Sequence, residues 1–208
     1  MSVSHKPPVL GILGGIGSGK SAVANGLADH FKTVVIDADQ IGHQVLKFPH
    51  IIQQLRQAFG DAILNGDQVD RKRVAALVFG DEPHHHEARR TLEHIVHPEI
   101  GRVAQSQVES ADTSTELIVL DAAVMLEAGW SQLCDFLVFV DTPVDDRLNR
   151  IRQQRDWTAS ELQRREASQL PLEEKRKAAD FVVNNSGSLA ESIRQLTEFV
   201  RSRLSNQS

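Results

Sequence analysis

Five times along the chain a short, nearly continuous apolar run closes on aspartate, asparagine or glycine: "PPVLGILGG", "TVVIDAD", "TELIVLDAA", "CDFLVFVDTP" and "ADFVVNNSGS". Short runs rich in Val and Ile and bounded by Pro, Gly, Asn and Asp read as strands. The apolar residues fill successive positions, so both faces of each strand must be covered, as in a parallel sheet between layers of helices. Between the first two runs, "SAVANGLADHF" sets Val23, Leu27 and Phe31 at helical spacing, with Ala24 and Ala28 beside them. Near the other end, "LAESIRQLTEFVRSRL" is again amphipathic. The pattern predicts an α/β fold, a five-stranded, mainly parallel sheet flanked by helices. Ligands of such open sheets bind beyond the carboxyl ends of the strands. The polar residues that close the runs are therefore the first place to look for chemistry.

Two polar stretches break this rhythm. Residues from about Gln40 to about Ser110 are helical in pattern, and so are Val144 to Lys177, where arginine is frequent. The chain reads as one domain over 1–208, with a core at about 9–39, 115–143 and 178–208, a helical insert at about 40–114 and a second at about 144–177. "DEPHHHEARR" is a loop or a helix start. Adjacent histidines cannot all face one metal from a helix or strand, so a solvated surface is expected there.

Composition narrows the setting. Hydrophobic residues make up 40% and charged residues 25% of the chain, ordinary proportions for a globular protein. No apolar run approaches the roughly 20 residues of a membrane helix. "MSVSHKPPVL" lacks the apolar centre of a secretory leader. Cys134 is the only cysteine, so no internal disulfide can form, and the cytoplasm is the expected compartment. A net charge of −5 argues against a general nucleic-acid binder. Neither a membrane nor an obligate protein partner is expected.

The first strand runs into Gly14-Gly15-Ile16-Gly17-Ser18-Gly19-Lys20-Ser21. Glycine is costly to order, so a cluster of it needs a reason. The run matches G-x-x-x-x-G-K-[ST], with a strand before and a helix after. Backbone amides in such a loop turn inward around phosphate oxygens, and the helix start adds a positive end. Gly15, Gly17, Ser18, Gly19, Lys20, Ser21 and Ala22 are thus candidates to hold ATP. Lys20 would reach the β- and γ-phosphates and Ser21 would offer its hydroxyl to Mg²⁺. Such a loop also serves switches and motors. Asp39-Gln40-Ile41-Gly42 matches D-x-x-G, but no N-K-x-D follows to read guanine. A compact sheet, a helical insert after the second strand and a late arginine-rich insert follow the plan of a P-loop kinase: core, acceptor-binding domain, lid.

"GGIGSGKS", "VIDADQIGHQVL", "HPEI", "DAAVMLEAGW", "CDFLVFVD" and "RQQRDWTASELQRREASQLPLEEKRKAADFVVNNSGS" together resemble the dephospho-CoA kinase family from end to end. The glycine loop is generic. The Asp37-Ala38-Asp39 run with His43, the His97-Pro98 pair and the closing Asn185-Ser186-Gly187 are more specific. The resemblance implies transfer of the ATP γ-phosphate to the ribose 3′-hydroxyl of dephospho-CoA, giving CoA and ADP, the last step of CoA biosynthesis. Two positions depart from the family: Ala22, where threonine is usual, and Ala123, where the stretch D-A-P-L-L-F-E has proline. Both exchanges leave the charged positions intact.

Asp39 closes the second strand, where a carboxylate can take the acceptor hydroxyl's proton or orient that hydroxyl and Mg²⁺. The alternative is a cap for a helix starting at Gln40. Asp121 closes "LIVLD", the place of a carboxylate that holds Mg²⁺ together with Ser21; a plain strand-end turn is the alternative. Glu127 either pairs with a lid arginine or faces the acceptor. His43 and His97 read as acceptor-side residues or as satisfied structural groups. Lys47 and Arg71, Lys72 and Arg73 are candidates for the acceptor's pyrophosphate, or a solvated helix face. Arg147 and Arg150 are three residues apart, as are Arg152 and Arg155, which puts the two pairs on different faces of one helix. An arginine fork stabilises charge on a transferring phosphoryl group. The resemblance, at "LNR" and "QRD", favours Arg150 first, with Arg147 and Arg155 behind it. By the same resemblance, Asn185 and Gly187 would lie by the adenine through the backbone of the "NNSG" turn; a plain turn is again the alternative.

Overall fold

A computed structural model describes residues 6–80, 82–155 and 157–205, apart from the side chain of Arg155. In chain order the elements are β1 (Val9–Gly14), α1 (Lys20–Gly26), β2 (Thr33–Asp37), α2 (Ala38–Val45), α3 (Pro49–Phe59), β3 (Leu64–Asn65), β4 (Gln68–Val69), α4 (Arg71–Val78) and α5 (Pro83–Glu109). They continue with β5 (Leu117–Asp121), β6 (Phe136–Asp141), α6 (Val144–Arg155), α7 (Ala159–Glu166), α8 (Leu172–Lys177), β7 (Phe181–Asn184) and α9 (Leu189–Ser205). The chain divides into two compact units, one of Met1–Asp37 with Gln107–Ser208, the other of Ala38–Ser106. Among the described residues, no helix is long and apolar enough to cross a membrane.

The first unit holds a five-stranded sheet of order β2-β5-β1-β6-β7, parallel throughout. The chain leaves β1 for the edge at β2, returns to β5 on one flank of β1, then crosses to β6 on the other. That reversal at β1 opens a crevice at its carboxyl end. The register pairs Asp37 with Asp121 and Asp141 with Asn184, so polar ends that are distant in sequence come level. On one face Leu10, Ile12, Leu117, Val119, Val138, Val140 and Val183 pack with Val23, Ala24 and Leu27 of the α1 segment and with Leu196 and Val200 of α9. Each such side chain contributes about 1.5–3 kcal/mol on full burial. The two helices approach closely: a Cβ at Gly26 would lie 2.2 Å from Ile193 Cδ1.

Three acidic residues, each just ahead of a strand, lock the register at the amino end of this sheet. The Lys32 amide donates to Glu116 Oε2 (2.7 Å) while the Glu116 amide donates to the Lys32 carbonyl (2.8 Å). Val9 and Asp135 make the same reciprocal pair (2.7 and 2.8 Å), as do Leu137 and Asp180 (2.8 and 2.8 Å). Each carboxylate satisfies an amide at the start of a parallel ladder, where the backbone itself offers no acceptor. The D-F shared by "CDFLVFVD" and "ADFVVNN" is the trace of this clasp in the sequence.

The second unit packs Ile41, Val45, Ile51, Leu55, Ile63, Val74, Val78, Val96 and Ile100 into its own buried core. Its pattern predicts helices alone, yet β3 and β4 pair as an antiparallel ribbon. Asn65-Gly66 makes the turn, with Gly66 at φ 62°, and Asn-Gly is a strong hairpin signal; two-residue strands are too short to show a period. Arg73 ties the ribbon to α4 through the Leu64 carbonyl, and Asp70 caps α4 by accepting from the amides of Lys72 and Arg73 (2.9 and 3.3 Å). The triple histidine opens α5, and the His85 ring donates to the Leu77 carbonyl (2.7 Å).

Two expectations follow. Asp135→Ala should lower Tm by about 2–4 °C, the equivalent of about 1 kcal/mol in a chain of this size. Asp135→Asn, which keeps an acceptor oxygen, should recover part of that; an unchanged Tm in the alanine variant would refute the clasp. Burial, aided by the Asp135 charge, pushes the Cys134 thiol up to about 12. Its sulfur lies 3.9 Å from Met125 Sδ and fills the space over Gly11. Raised in the fold, this acid stabilises the protein below the unfolded thiol pKa of about 8.5, and that contribution fades as pH climbs toward the folded value. Native protein at pH 8 should therefore react with a disulfide dye far more slowly than protein in denaturant, and equal rates would contradict the assignment.

Candidate active site

β1 delivers the glycine loop to the crevice. The Ser18 amide donates to the Gly15 carbonyl (3.1 Å), closing a turn, and Gly17 and Gly19 stand at φ 76° and 82°. Those two positions are left-handed, which explains glycine there. Gly19 caps α1 with no side chain, leaving the first amides of the helix uncovered. Behind the loop, the buried Ser18 carbonyl accepts from three side chains: Thr142 Oγ1 (2.8 Å), Arg150 Nη1 (2.9 Å) and Asn185 Nδ2 (2.7 Å). The Ser192 hydroxyl donates to the other end of the Asn185 amide (2.7 Å). Asn185 is only 3% exposed, so its side chain braces the loop, leaving its backbone for any contact with a base. Gly187 sits in the exposed turn just beyond.

On the other side of the loop, the Ser21 hydroxyl donates to Asp121 Oδ2. Asp121 closes β5 and is 6% exposed. A hydroxyl and a carboxylate at one point are hard oxygen ligands of the kind Mg²⁺ takes, with phosphate oxygens and water completing its shell. Among the described residues, no three His, Cys, Asp or Glu side chains gather as a cage. The Lys20 ammonium, half-exposed, has no hydrogen-bond or ion-pair partner among the described residues.

Of the two arginine pairs on α6, the first meets the loop. Arg147 is 5% exposed; its Nη1 donates to the Ile16 carbonyl (3.4 Å) and to Glu166 Oε1. Arg150 reaches the carbonyls of Ser18 and Gly17 (2.9 and 3.5 Å), while Arg152 is exposed. The side chain of Arg155 lies outside the described residues. A cavity of about 80 Å³ opens beside Gly15, lined among others by Asp141, Thr142, Arg147 and Arg176.

Glu127 pairs with a lid residue, but that residue is a lysine and not an arginine. Lys175, 1% exposed, gives its three protons to Glu127 Oε1 (2.9 Å), the Ala123 carbonyl (2.7 Å) and Gln169 Oε1 (3.0 Å). Nothing local in "LEEKRK" marks Lys175 out from Arg176 or Lys177, whose ion pairs with Asp141 and Glu174 are exposed. Its burial is decided by where α8 packs.

In the second unit, α2 starts at Ala38 directly off β2, two residues earlier than Gln40. Asp39 therefore lies inside the first turn and is not the cap, though a carboxylate there is still favoured by the helix dipole. It is exposed, without a hydrogen-bond or ion-pair partner among the described residues. His43 Nε2 accepts from Arg71 Nη2 (2.6 Å), since a guanidinium has donors only. His97 is half-buried on α5 ahead of Pro98. Lys47 and Lys72 are exposed, and Arg73 is engaged by the ribbon.

A phosphate loop on the central strand of a parallel sheet, braced by a lid helix and flanked by a hydroxyl–carboxylate pair, defines a P-loop kinase. The family model described as Dephospho-CoA kinase matches residues 8–191. The dephospho-CoA kinase of Rhodopirellula baltica is 34% identical over 193 residues, 92% of this chain and 88% of that one. A Thermus thermophilus protein of known crystal structure superposes at TM-score 0.80 with 31% identity, covering 96% of this chain and 99% of its own. The dephospho-CoA kinase of Campylobacter jejuni superposes at 0.59 with 25% identity, covering 96% and 98%. The chain belongs to the dephospho-CoA kinase family.

Arg150→Lys keeps the charge but loses the fork that spans two carbonyls and can grip phosphate. Its turnover should fall on the order of tenfold or more, about 1.4 kcal/mol of barrier, while Arg152→Lys stays near the parent. Side-by-side steady-state rates decide it; the opposite ranking would put the wrong face of α6 at the loop.

Proposed function

We propose that the protein transfers the γ-phosphate of ATP to the ribose 3′-hydroxyl of dephospho-CoA, releasing ADP and CoA. The observation that carries the reading is the meeting of Ser21 with Asp121 beside a complete phosphate loop. It sets two oxygens where a triphosphate-bound cation needs them, within a chain that belongs to the dephospho-CoA kinase family.

The residues divide the work. Amides of Gly15 to Ser21, with Ala22 following, cradle the phosphates, and the Lys20 ammonium bridges β- and γ-oxygens. Ser21 and Asp121 would hold Mg²⁺, which when bound neutralises charge on those oxygens. Asp39 orients the acceptor hydroxyl and takes its proton as the alcohol oxygen attacks phosphorus in line with departing ADP. Arg147 and Arg150, joined by Arg155 on the strength of the resemblance, stabilise charge on the transferring group. The turn at Asn185 and Gly187 abuts the adenine by its backbone. The helical unit Ala38–Ser106, with His43, Arg71 and His97, binds the acceptor, and Glu127 acts on it indirectly through Lys175 and the lid. Residues 144–177 form that lid and exclude water, which would otherwise accept the phosphoryl group. A small-molecule reaction of this kind needs no nucleic acid, membrane or protein partner and suits the cytoplasm.

Release of ADP should depend on dephospho-CoA and not on nucleoside monophosphates; slow release indifferent to the acceptor would overturn the reading in favour of a switch. Asp39→Asn should bind ATP and melt like the parent but lose about 10²–10⁴-fold in turnover, toward the low end because the transition state is loose. A variant that binds both substrates and turns over within about threefold of the parent, below that range, removes Asp39 from the mechanism.

A further inference from the structure

Arg147 and Glu166 form an ion pair that does not belong to the phosphate chemistry. The side chains are 6% and 22% exposed, and the pair lies directly on the glycine loop. A Cβ on Gly15 would stand 2.8 Å from Arg147 Nη1 and 3.1 Å from Glu166 Oε1. A full negative charge thus rests against the second residue of a loop built to receive negative charge. The remaining groups around Arg147 mark the arrangement as incomplete. Its Nε is buried with no hydrogen-bond partner among the described residues, and a cavity of about 80 Å³ opens beside it between Gly15 and α8. Contrast Lys175, where every proton is matched to an oxygen.

We propose that Glu166 is a stand-in for phosphate: in the nucleotide-free protein it neutralises Arg147 against the loop, and it yields the guanidinium when a triphosphate enters. The inference rests on the ATP reading above. Two anions cannot share one buried guanidinium at close range without strong repulsion, so nucleotide binding must displace the carboxylate. Glu166 is the last residue of α7, and it can swing away while α7 stays anchored: Arg165 stacks on Trp157 at 4.1 Å and pairs with Glu161 at 2.7 Å. The exchange couples triphosphate arrival to release of the lid from the loop, which opens the route by which Arg147 turns its spare Nε toward phosphate oxygen. It breaks and makes no covalent bond.

Calorimetric titration of the full chain tests this with ATP, inorganic tripolyphosphate and adenosine as probes. Glu166→Gln should bind ATP and tripolyphosphate about fivefold tighter or more, the scale of an ordinary coupling between sites, and adenosine no tighter. Equal or weaker binding of the two polyphosphates overturns the proposal and makes Glu166 a fixed support for Arg147. If the variant is less stable, the rise in Tm on saturation with ATP should exceed that of the parent, because ATP then supplies the missing anion; an equal or smaller rise is again fatal. A parent chain that binds ATP while its Gln variant binds no tighter sinks this inference alone. A parent that binds neither ATP nor tripolyphosphate sinks the function reading as well.

Discussion

The carbonyl of Ser18 is the point on which the site depends. Three side chains from 124, 132 and 167 residues away donate to it. A carbonyl has two lone pairs, so three donors crowd it from behind and leave the loop little room to turn. That grip holds Gly17 and Gly19 in the left-handed region, and their conformation in turn sets where α1 begins and where Lys20 and Ser21 emerge. The donors come from the end of β6, from the lid helix α6 and from the end of β7. Loop, lid and the far edge of the sheet are thereby mechanically one object.

Buried charge in this unit follows two different designs. Lys175 is saturated, with three protons on three oxygens, and acts as a strap between α8 and the segment that follows Asp121. Breaking such a strap leaves a charge without compensation, the costly side of a buried ion pair. Arg147 is half satisfied, shared between a loop carbonyl and a carboxylate with a donor in reserve. A group that must later hold a ligand cannot be saturated by the protein beforehand. The difference between the two cations is therefore a difference of task, one structural and one exchangeable.

The clasps at the amino end of the sheet answer the opposite need. Function gathers at the carboxyl end, where strand ends are left open to ligand. At the amino end, Glu116, Asp135 and Asp180 close the ladders, so that β1, β5, β6 and β7 meet the crevice in a fixed register. Precision at one end of a parallel sheet is secured at the other, because a strand that slips by one residue reverses every side chain it carries.

Much of this was legible along the chain. Continuous apolar runs closed by aspartate define a parallel sheet because such strands must be covered on both faces. The loop from Gly14 to Ser21 is legible because phosphate binding is backbone chemistry and needs a particular run of glycines at particular steps. Helical spacing also put Arg147 and Arg150 on one face, and that face is the one that meets the loop. Other features have no local signature. Asn185 reads as a turn residue and proves to be a brace, Lys175 is one cation among several, and Glu166 differs in nothing from Glu161 until α7 is placed. The ribbon at Asn65-Gly66 and the start of α2 at Ala38 depend on neighbours that periodicity cannot see. Chemistry that rests on backbone and on spacing is written in order along the sequence; the partner of a charged side chain is decided by packing between segments more than 100 residues apart, such as the 124 that separate Ser18 from Thr142, and only the tertiary structure supplies that distance.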